Sequence, residues 1–366
     1  MPTHDETAVL RVLDAAANRA REGLRVVEDC VRFCLDDAHL SRLCKELRHE
    51  LTTALACIPW SQRAAARDTA NDVGTQLSTP SEQSRTDLAQ VLAANAARIQ
   101  DGLRSLEEFG KLVDSRMAAA IKQIRYRSYT VLKAAETARG SRQRLDGCRL
   151  CVITDGRGSP GEFDILVRSL VAAGVGAIQL RDKRLCDREL LGRARQLREL
   201  TRQTSTLAIV NDRPDLAAIC QADGVHLGQD DVAVREARRI VGPRVLVGVS
   251  THSIAQARQA VLDGADYLGV GPVFPSSTKQ FAEFVGLELV RQVAAEISLP
   301  AFAIGGISAQ NAHEVVAAGA VRVAVSGAIV GAADPAAAAA QVLAAISVTA
   351  ANGVSPSDPT QLAQRQ

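Results

Sequence analysis

From Leu150 onward the chain repeats one rhythm eight times: a short apolar run, a polar break, then a segment with helical spacing. The apolar runs lie near 150–154, 177–181, 206–211, 224–227, 245–249, 267–271, 300–304 and 322–326. Runs this short and continuously apolar suit strands buried on both faces, as in a parallel sheet. Helical segments such as 187–203, 253–262 and 309–318 lie between them, and Gly174 and Gly319 stand where C-terminal helix caps are expected. Eight alternating units predict a closed (β/α)8 TIM barrel rather than an open sheet. In that architecture the carboxyl ends of all eight strands share one rim, where active sites sit.

Polar residues recur at those ends. Gln179, Arg181 and Lys183 have period-two spacing and so share one face of the second strand's end. Asn211-Asp212 closes the third strand, and His226-Leu227-Gly228-Gln229-Asp230-Asp231 runs out of the fourth. Neighbouring strands bring Asp212 and Asp231 within reach of each other, and two carboxylates facing phosphates suit Mg²⁺, a hard cation with oxygen ligands. Helix capping is the competing reading: Asp212 precedes Arg213-Pro214, and Asp230 or Asp231 suits the cap of the next helix. His226 is either a structural histidine or a polar positioning group beside Asp231. Ser276, Ser277, Thr278 and Lys279 follow a Gly-Pro segment, where hydroxyls and backbone N–H groups can wrap a phosphate. Gly305-Gly306 and Val325-Ser326-Gly327 end strands seven and eight, the usual phosphate position in such barrels. Two anionic subsites follow. One, around Gln179, Arg181, Lys183, Asn211, Asp212 and Asp231, suits a magnesium diphosphate; the other, around Ser276, Thr278, Gly305, Val325 and Ser326, suits a monophosphate.

Residues 8 to about 140 follow a helical period instead, and they repeat internally. Arg19 to Asp29 matches Arg98 to Glu108, and Lys45-Glu-Leu-Arg48 more weakly matches Lys122-Gln-Ile-Arg125. A duplicated helical hairpin forming an all-α bundle is expected over 1–140, with a polar loop from Arg67 through Asp68, Asn71 and Asp72 to Ser84 between the copies. Arg25/Asp29 and Arg104/Glu108 suit i,i+4 ion pairs on a solvated face; a ligand or partner site around Arg67, Asp68, Asn71 and Asp72 is the alternative. Residues 141–147 read as a linker, 148–346 as the barrel, and 347–366, rich in Ser, Pro, Asn and Gln, as a disordered tail.

The net charge of +2, from 43 basic and 41 acidic residues without a block of one sign, argues against nucleic-acid or anionic-membrane surfaces. Aromatics at 3% leave little for base stacking. No run approaches the ~20 apolar residues of a membrane span, and the N-terminus lacks a secretory pattern, so a soluble cytoplasmic protein is expected, with self-association left open. Cys148 and Cys151 form the single C-x-x-C among eight cysteines, without a partner pair at zinc spacing. Reduced, buried cysteines are the expectation, with Cys148 and Cys151 on opposite faces of an extended segment.

Taken together, these ordered motifs resemble thiamine-phosphate synthase (thiamine-phosphate pyrophosphorylase) over about 148–345. The resemblance implies condensation of 4-amino-2-methyl-5-(diphosphooxymethyl)pyrimidine with 4-methyl-5-(2-phosphoethyl)thiazole, or its carboxylated form, giving thiamine phosphate and pyrophosphate. It implies that Gln179, Leu180, Arg181, Asp182, Lys183, Asn211, Ser250 and Lys279 contact the pyrimidine diphosphate. Asp212 and Asp231 would ligate one Mg²⁺, and Ser276, Ser277, Thr278, Gly305, Val325 and Ser326 would hold the thiazole phosphate. It also implies a dissociative substitution, with Arg181, Lys183 and Lys279 stabilising charge. Cys151-Val152 stand before Ile153-Thr154-Asp155 where the family often has an aromatic, and Ser276 where threonine is common. Barrels of the thiazole tautomerase type, or a non-catalytic phosphate sensor with the helical half as an interaction module, are the rival readings.

Overall fold

The computed structural model describes residues 3–73, 84–275 and 284–352. Its contacts divide the chain into two compact units. One comprises Met1–Gly140 with Val261–Gly264 and Glu296–Ser298; the other comprises Ser141–Ala260, Ala265–Ala295 and the chain from Leu299 onward.

The helical unit contains α1 (His4–Phe33), α2 (Ala38–Ala54), a single 3₁₀ turn, α3 (Trp60–Ala66), α4 (Leu88–Gly110) and most of α5 (Ser115–Arg144). A reciprocal Thr3/Glu6 capping box starts α1, and the Asp87 carboxylate accepts from the Gln90 N–H to start α4. The internal repeat has a structural counterpart: its two longer copies lie on α1 and α4, which pack together through matching glycines. A Cβ on Gly23 would lie 2.8 Å from Ile99, and one on Gly102 would lie 2.9 Å from the Ala16 carbonyl. The weaker pair of copies places equivalent arginines on α2 and α5. Arg48 Nε meets Glu28 at 2.6 Å, and Arg125 Nε meets Glu107 at 2.8 Å. Arg25–Asp29 and Arg104–Glu108 form the expected i,i+4 pairs at 3.2 and 2.8 Å. In the loop between the copies Arg67 binds Asp14 and Asp68 binds Asn71; residues 74–83 lie outside the described residues.

The second unit is a closed parallel barrel in which each strand pairs with the next and β8 returns to β1. Its elements run β1 (Leu150–Thr154), α6 (Pro160–Ala172), β2 (Ala177–Leu180), α7 (Asp187–Thr201), β3 (Leu207–Asn211), α8 (Pro214–Ile219), β4 (Gly224–Leu227) and α9 (Val234–Val241). They continue as β5 (Leu246–Thr251), α10 (Ile254–Asp263), β6 (Tyr267–Val270), α11 (Gly286–Glu296), β7 (Ala301–Ile304), α12 (Ala312–Ala317), β8 (Val323–Val325), α13 (Gly327–Val330) and α14 (Pro335–Asn352). Alternation along the strands sends one set of residues to the helices and the other into the barrel. The lower interior is an apolar cluster of Leu145, Cys148, Cys151, Ala177, Ile209, Leu246, Tyr267, Phe302 and Ala324. Toward the carboxyl ends, β2 to β5 turn polar residues inward, Gln179, Asn211, His226 and Ser250, beside Ile153 and Ile304. The apolar floor supplies burial, worth roughly 1.5–3 kcal/mol per large side chain, and leaves the upper layer available for chemistry.

Four expectations need revision. The stretch 141–147 is not a free linker: α5 continues to Arg144, the Ser141 hydroxyl donates to Asp266 at 3.0 Å, and Leu145 lies in the barrel core. Cys148 precedes β1, so strand alternation does not govern it, and it joins Cys151 in one core cluster. The cysteines are free, but Cys34, Cys57 and Cys186 are exposed rather than buried. At the other end α14 reaches Asn352, beyond residue 346; 353–366 lie outside the described residues. Among the described residues no helix is long and apolar enough to cross a membrane.

Candidate active site

The adjacent strands β3 and β4 build the charged part of the rim. Asn211 pairs in register with His226, and the Asp212 N–H donates to the His226 carbonyl at 2.8 Å; the Arg213 N–H then donates back to the Asn211 carbonyl at 2.8 Å, so the chain turns sharply just past β3. Asp212 adopts a left-handed backbone with φ 61°, a conformation Asp tolerates better than most residues but at a cost. Neither carboxylate caps a helix. Arg213 and Ala233 are the N-cap residues of α8 and α9, without side-chain caps, and Asp231 accepts from the Gly228 N–H at 2.7 Å instead. Burial, and then the facing Asp231, push the Asp212 carboxyl up from 3.8 to about 6, while Lys183 and Arg181 pull it back. Lys183 Nζ stands 4.0 Å from Asp212. Two carboxylates opposed in this way, with cations beside them, form a place where a divalent cation would relieve the repulsion. Among the described residues no cluster of three or more His, Cys, Asp or Glu offers a complete protein-only metal shell. A cation here would therefore need further oxygen ligands from water or a bound phosphate.

Inside the rim lies a cavity of about 340 Å³. One wall carries Gln179, Arg181, Asn211, His226, Ser250 and His252; the other carries Gly305, Gly306, Val325, Ser326 and their neighbours, with Ile153, Ile304 and Ala324 between them. Gln179 Nε2 donates to Asn211 Oδ1 at 2.7 Å. His226 contacts Ser250 Oγ through Nε2 at 3.0 Å and the Tyr267 hydroxyl through Nδ1 at 3.3 Å. Burial pushes its imidazole down to about 4, against the opposing pull of Asp231, so His226 is a neutral hydrogen-bonding group at neutral pH. Gly305 and Gly306 have φ 103° and 62°, and a Cβ on Gly306 would lie 2.3 Å from the Pro275 carbonyl. These positions need glycine so that the chain can pass against the Pro272–Pro275 segment.

The structure thus gathers Gln179, Arg181, Asn211, His226, Ser250, Gly305, Val325 and Ser326 on one cavity, with Asp212, Asp231 and Lys183 around it. It does not bring Leu180 or Asp182 there. Leu180 is buried on the strand face opposite Gln179. The Asp182 carboxylate accepts from the Gly156 N–H at 3.0 Å and the Arg184 N–H at 2.8 Å, bracing the neighbouring loop. Ser276, Ser277, Thr278 and Lys279 lie outside the described residues. Sequence reading missed His252, one residue beyond β5, although its position at a strand end was a usable signal. It also missed Tyr267, which reads in the chain as an ordinary core aromatic.

The comparisons with known proteins divide the chain in two. The family described as thiamine monophosphate synthase matches residues 150–329, and the ThiD2 family matches residues 11–134. A protein named thiamine-phosphate synthase from Gloeobacter violaceus is 47% identical over 92% of this chain and 96% of its own length. One of the same name from Synechocystis sp. is 44% identical over 93% of this chain and 97% of its own. Among solved structures, thiamine phosphate pyrophosphorylase from Pyrococcus furiosus superposes with a TM-score of 0.52 at 37% identity, covering 57% of this chain and 98% of that one.

Proposed function

The chain belongs to the thiamine-phosphate synthase family, and from that membership we propose how its barrel joins the pyrimidine diphosphate to the thiazole phosphate, giving thiamine phosphate and pyrophosphate. The activity is assigned to residues 148–346, with 1–140 as a separate helical domain. The observation that carries the assignment is the Asp212–Asp231 pair, flanked by Lys183 and Arg181, at the edge of a cavity whose opposite wall is made of glycine and backbone.

In this reading Arg181 and Lys183, with Lys279 from the sequence, bind the diphosphate, and Gln179, Asn211 and Ser250 orient the pyrimidine. Gly305, Val325 and Ser326, with Ser276 to Thr278, receive the thiazole phosphate. Asp212 and Asp231 would hold Mg²⁺, which when bound would neutralise the diphosphate and so favour its departure. The bond from the pyrimidine methylene carbon to the diphosphate oxygen breaks with its electron pair leaving on pyrophosphate. The thiazole nitrogen lone pair then forms the new C–N bond to the resulting cation. No proton has to move in that exchange, which accords with a buried, neutral His226 and with a cavity that positions and stabilises charge. Mixing the protein with both substrates and Mg²⁺ should release pyrophosphate, with far slower release, by capture of the cation by water, when the thiazole phosphate is omitted. Asp212→Ala should lower that release at least a hundredfold, an expected loss of about 3 kcal/mol of transition-state stabilisation; unchanged turnover would remove the metal assignment.

A further inference from the structure

Two inward strand positions that would ordinarily carry side chains are glycine, and each is filled by a ring from another strand. Gly248 on β5 is in register with His226 on β4 and Tyr267 on β6. A Cβ there would lie 2.1 Å from Tyr267 Cζ, so the phenol lies across the glycine and reaches β4. Gly269 on β6 is in register with Ser250 on β5, and a Cβ there would lie 3.1 Å from His226 Cε1. The rings stand 5.5 Å apart between centroids. Glycine inside a strand loses packing and costs chain entropy, and here two such positions open the space in which Tyr267, His226 and Ser250 form a chain.

Hydrogen-bond accounting gives that chain a direction. Tyr267 is 3% exposed and lies in the apolar barrel core. Among the described residues His226 Nδ1, at 3.3 Å, is the partner of its hydroxyl. If Nδ1 carried a proton, in the neutral or the charged ring, the phenol proton would be left buried without an acceptor, an arrangement native interiors avoid. The Tyr267 O–H therefore donates to a bare Nδ1, and the ring proton lies on Nε2. That N–H, 3.0 Å from Ser250 Oγ, donates to it. The Ser250 hydroxyl, which lines the cavity, has then accepted from the protein side and turns its own proton inward.

We propose that Tyr267 is a positioning residue that fixes the His226 tautomer and so makes Ser250 a hydrogen-bond donor to an acceptor atom of the bound pyrimidine diphosphate. The identity of that ligand rests on the proposed function; the tautomer does not. The amide pair beside it is oriented in the same way: Gln179 donates to Asn211, leaving the Asn211 amide protons as donors.

Two measurements on the full-length protein test this. Long-range proton–nitrogen NMR with labelled imidazoles, assigned with a His226→Gln variant, should show His226 protonated at Nε2 alone, and Tyr267→Phe should introduce the Nδ1–H form. A protonated Nδ1 in the parent protein would overturn the proposal whatever the enzyme does. In pyrophosphate-release kinetics, Tyr267→Phe should lower kcat/KM for the pyrimidine diphosphate about tenfold, the scale of one lost hydrogen bond, and leave KM for the thiazole phosphate unchanged. The double variant Tyr267→Phe/Ser250→Ala should be no worse than Ser250→Ala alone, because both act through one hydroxyl. Losses that multiply would mean that Tyr267 acts merely through packing, and would also overturn it. If the parent releases no pyrophosphate at all, the functional reading falls while the NMR result still decides the tautomer.

Discussion

Asp212 carries two costs in the metal-free protein. Its left-handed backbone stores strain, and its carboxylate is half-buried facing Asp231, so the charged form is disfavoured. Groups held so unfavourably cluster at functional sites. Raising the folded-state value from 3.8 to about 6 means that the folded protein binds this proton more tightly than the unfolded chain does. The associated stability is therefore fully present below about pH 3.8 and is lost as pH rises through about 6. Asparagine tolerates the same backbone without the charge. In the presence of a chelator, Asp212→Asn should therefore unfold at higher temperature than the parent at pH 8, by an amount equivalent to about 1–3 kcal/mol, with the difference vanishing near pH 4. The same variant should lose pyrophosphate release. Scanning calorimetry at the two pH values checks the first part, and a variant less stable at pH 8 would show that burial and repulsion from Asp231 do not disfavour this carboxylate.

At the level of elements, the duplicated hairpin separates ion pairs that matter from those that do not. Arg125 is 10% exposed and bound to Glu107, itself 6% exposed, whereas Arg104, also paired with Glu107, is 56% exposed and reaches Glu108 at the surface. Truncating Arg125 leaves the buried Glu107 carboxylate only its longer contact to the exposed Arg104, at 3.3 Å, so Arg125→Ala should destabilise the helical unit by about 3 kcal/mol. Arg104→Ala should cost under ~1 kcal/mol. Urea unfolding of both variants measures the contrast, and equal costs would contradict it. The strands were legible because burial on both faces writes an uninterrupted apolar run, and the site cations were legible because Gln179, Arg181 and Lys183 keep period two. That same period places Leu180 and Asp182 on the other face, a constraint the family resemblance passed over in taking the whole string. The linker expected from residue 141 begins later, because α5 runs on through Gly140 to Arg144. A mid-helix glycine costs only about 1 kcal/mol, less than burial of Ala138 and Leu145 on either side returns. Tyr267 was illegible because its role depends on a vacancy opposite it at Gly248, a cross-strand relation that no single segment displays.

For the whole molecule the question is where the catalytic unit begins. Every described cavity residue falls between Ile153 and Ala328, but the barrel that shapes the cavity starts earlier. Leu145 is 1% exposed in its core, Arg322 donates to the Leu145 carbonyl at 3.3 Å, and the Ser141 hydroxyl reaches the buried carboxylate of Asp266. Asp266 in turn accepts from the Val247 N–H at 2.8 Å and so fixes the start of β5. A fragment of residues 141–366 keeps all of these contacts. One beginning at 148 loses a buried leucine, worth about 2–5 kcal/mol, and one partner of a buried carboxylate. The longer fragment should therefore release pyrophosphate at a rate within about threefold of the full chain, a difference under ~1 kcal/mol in barrier. The shorter one should show a clearly lower urea midpoint. A 141–366 fragment that is folded by circular dichroism yet inactive would instead mean that residues 1–140 supply something the reaction needs, and would overturn the assignment of synthesis to the barrel alone.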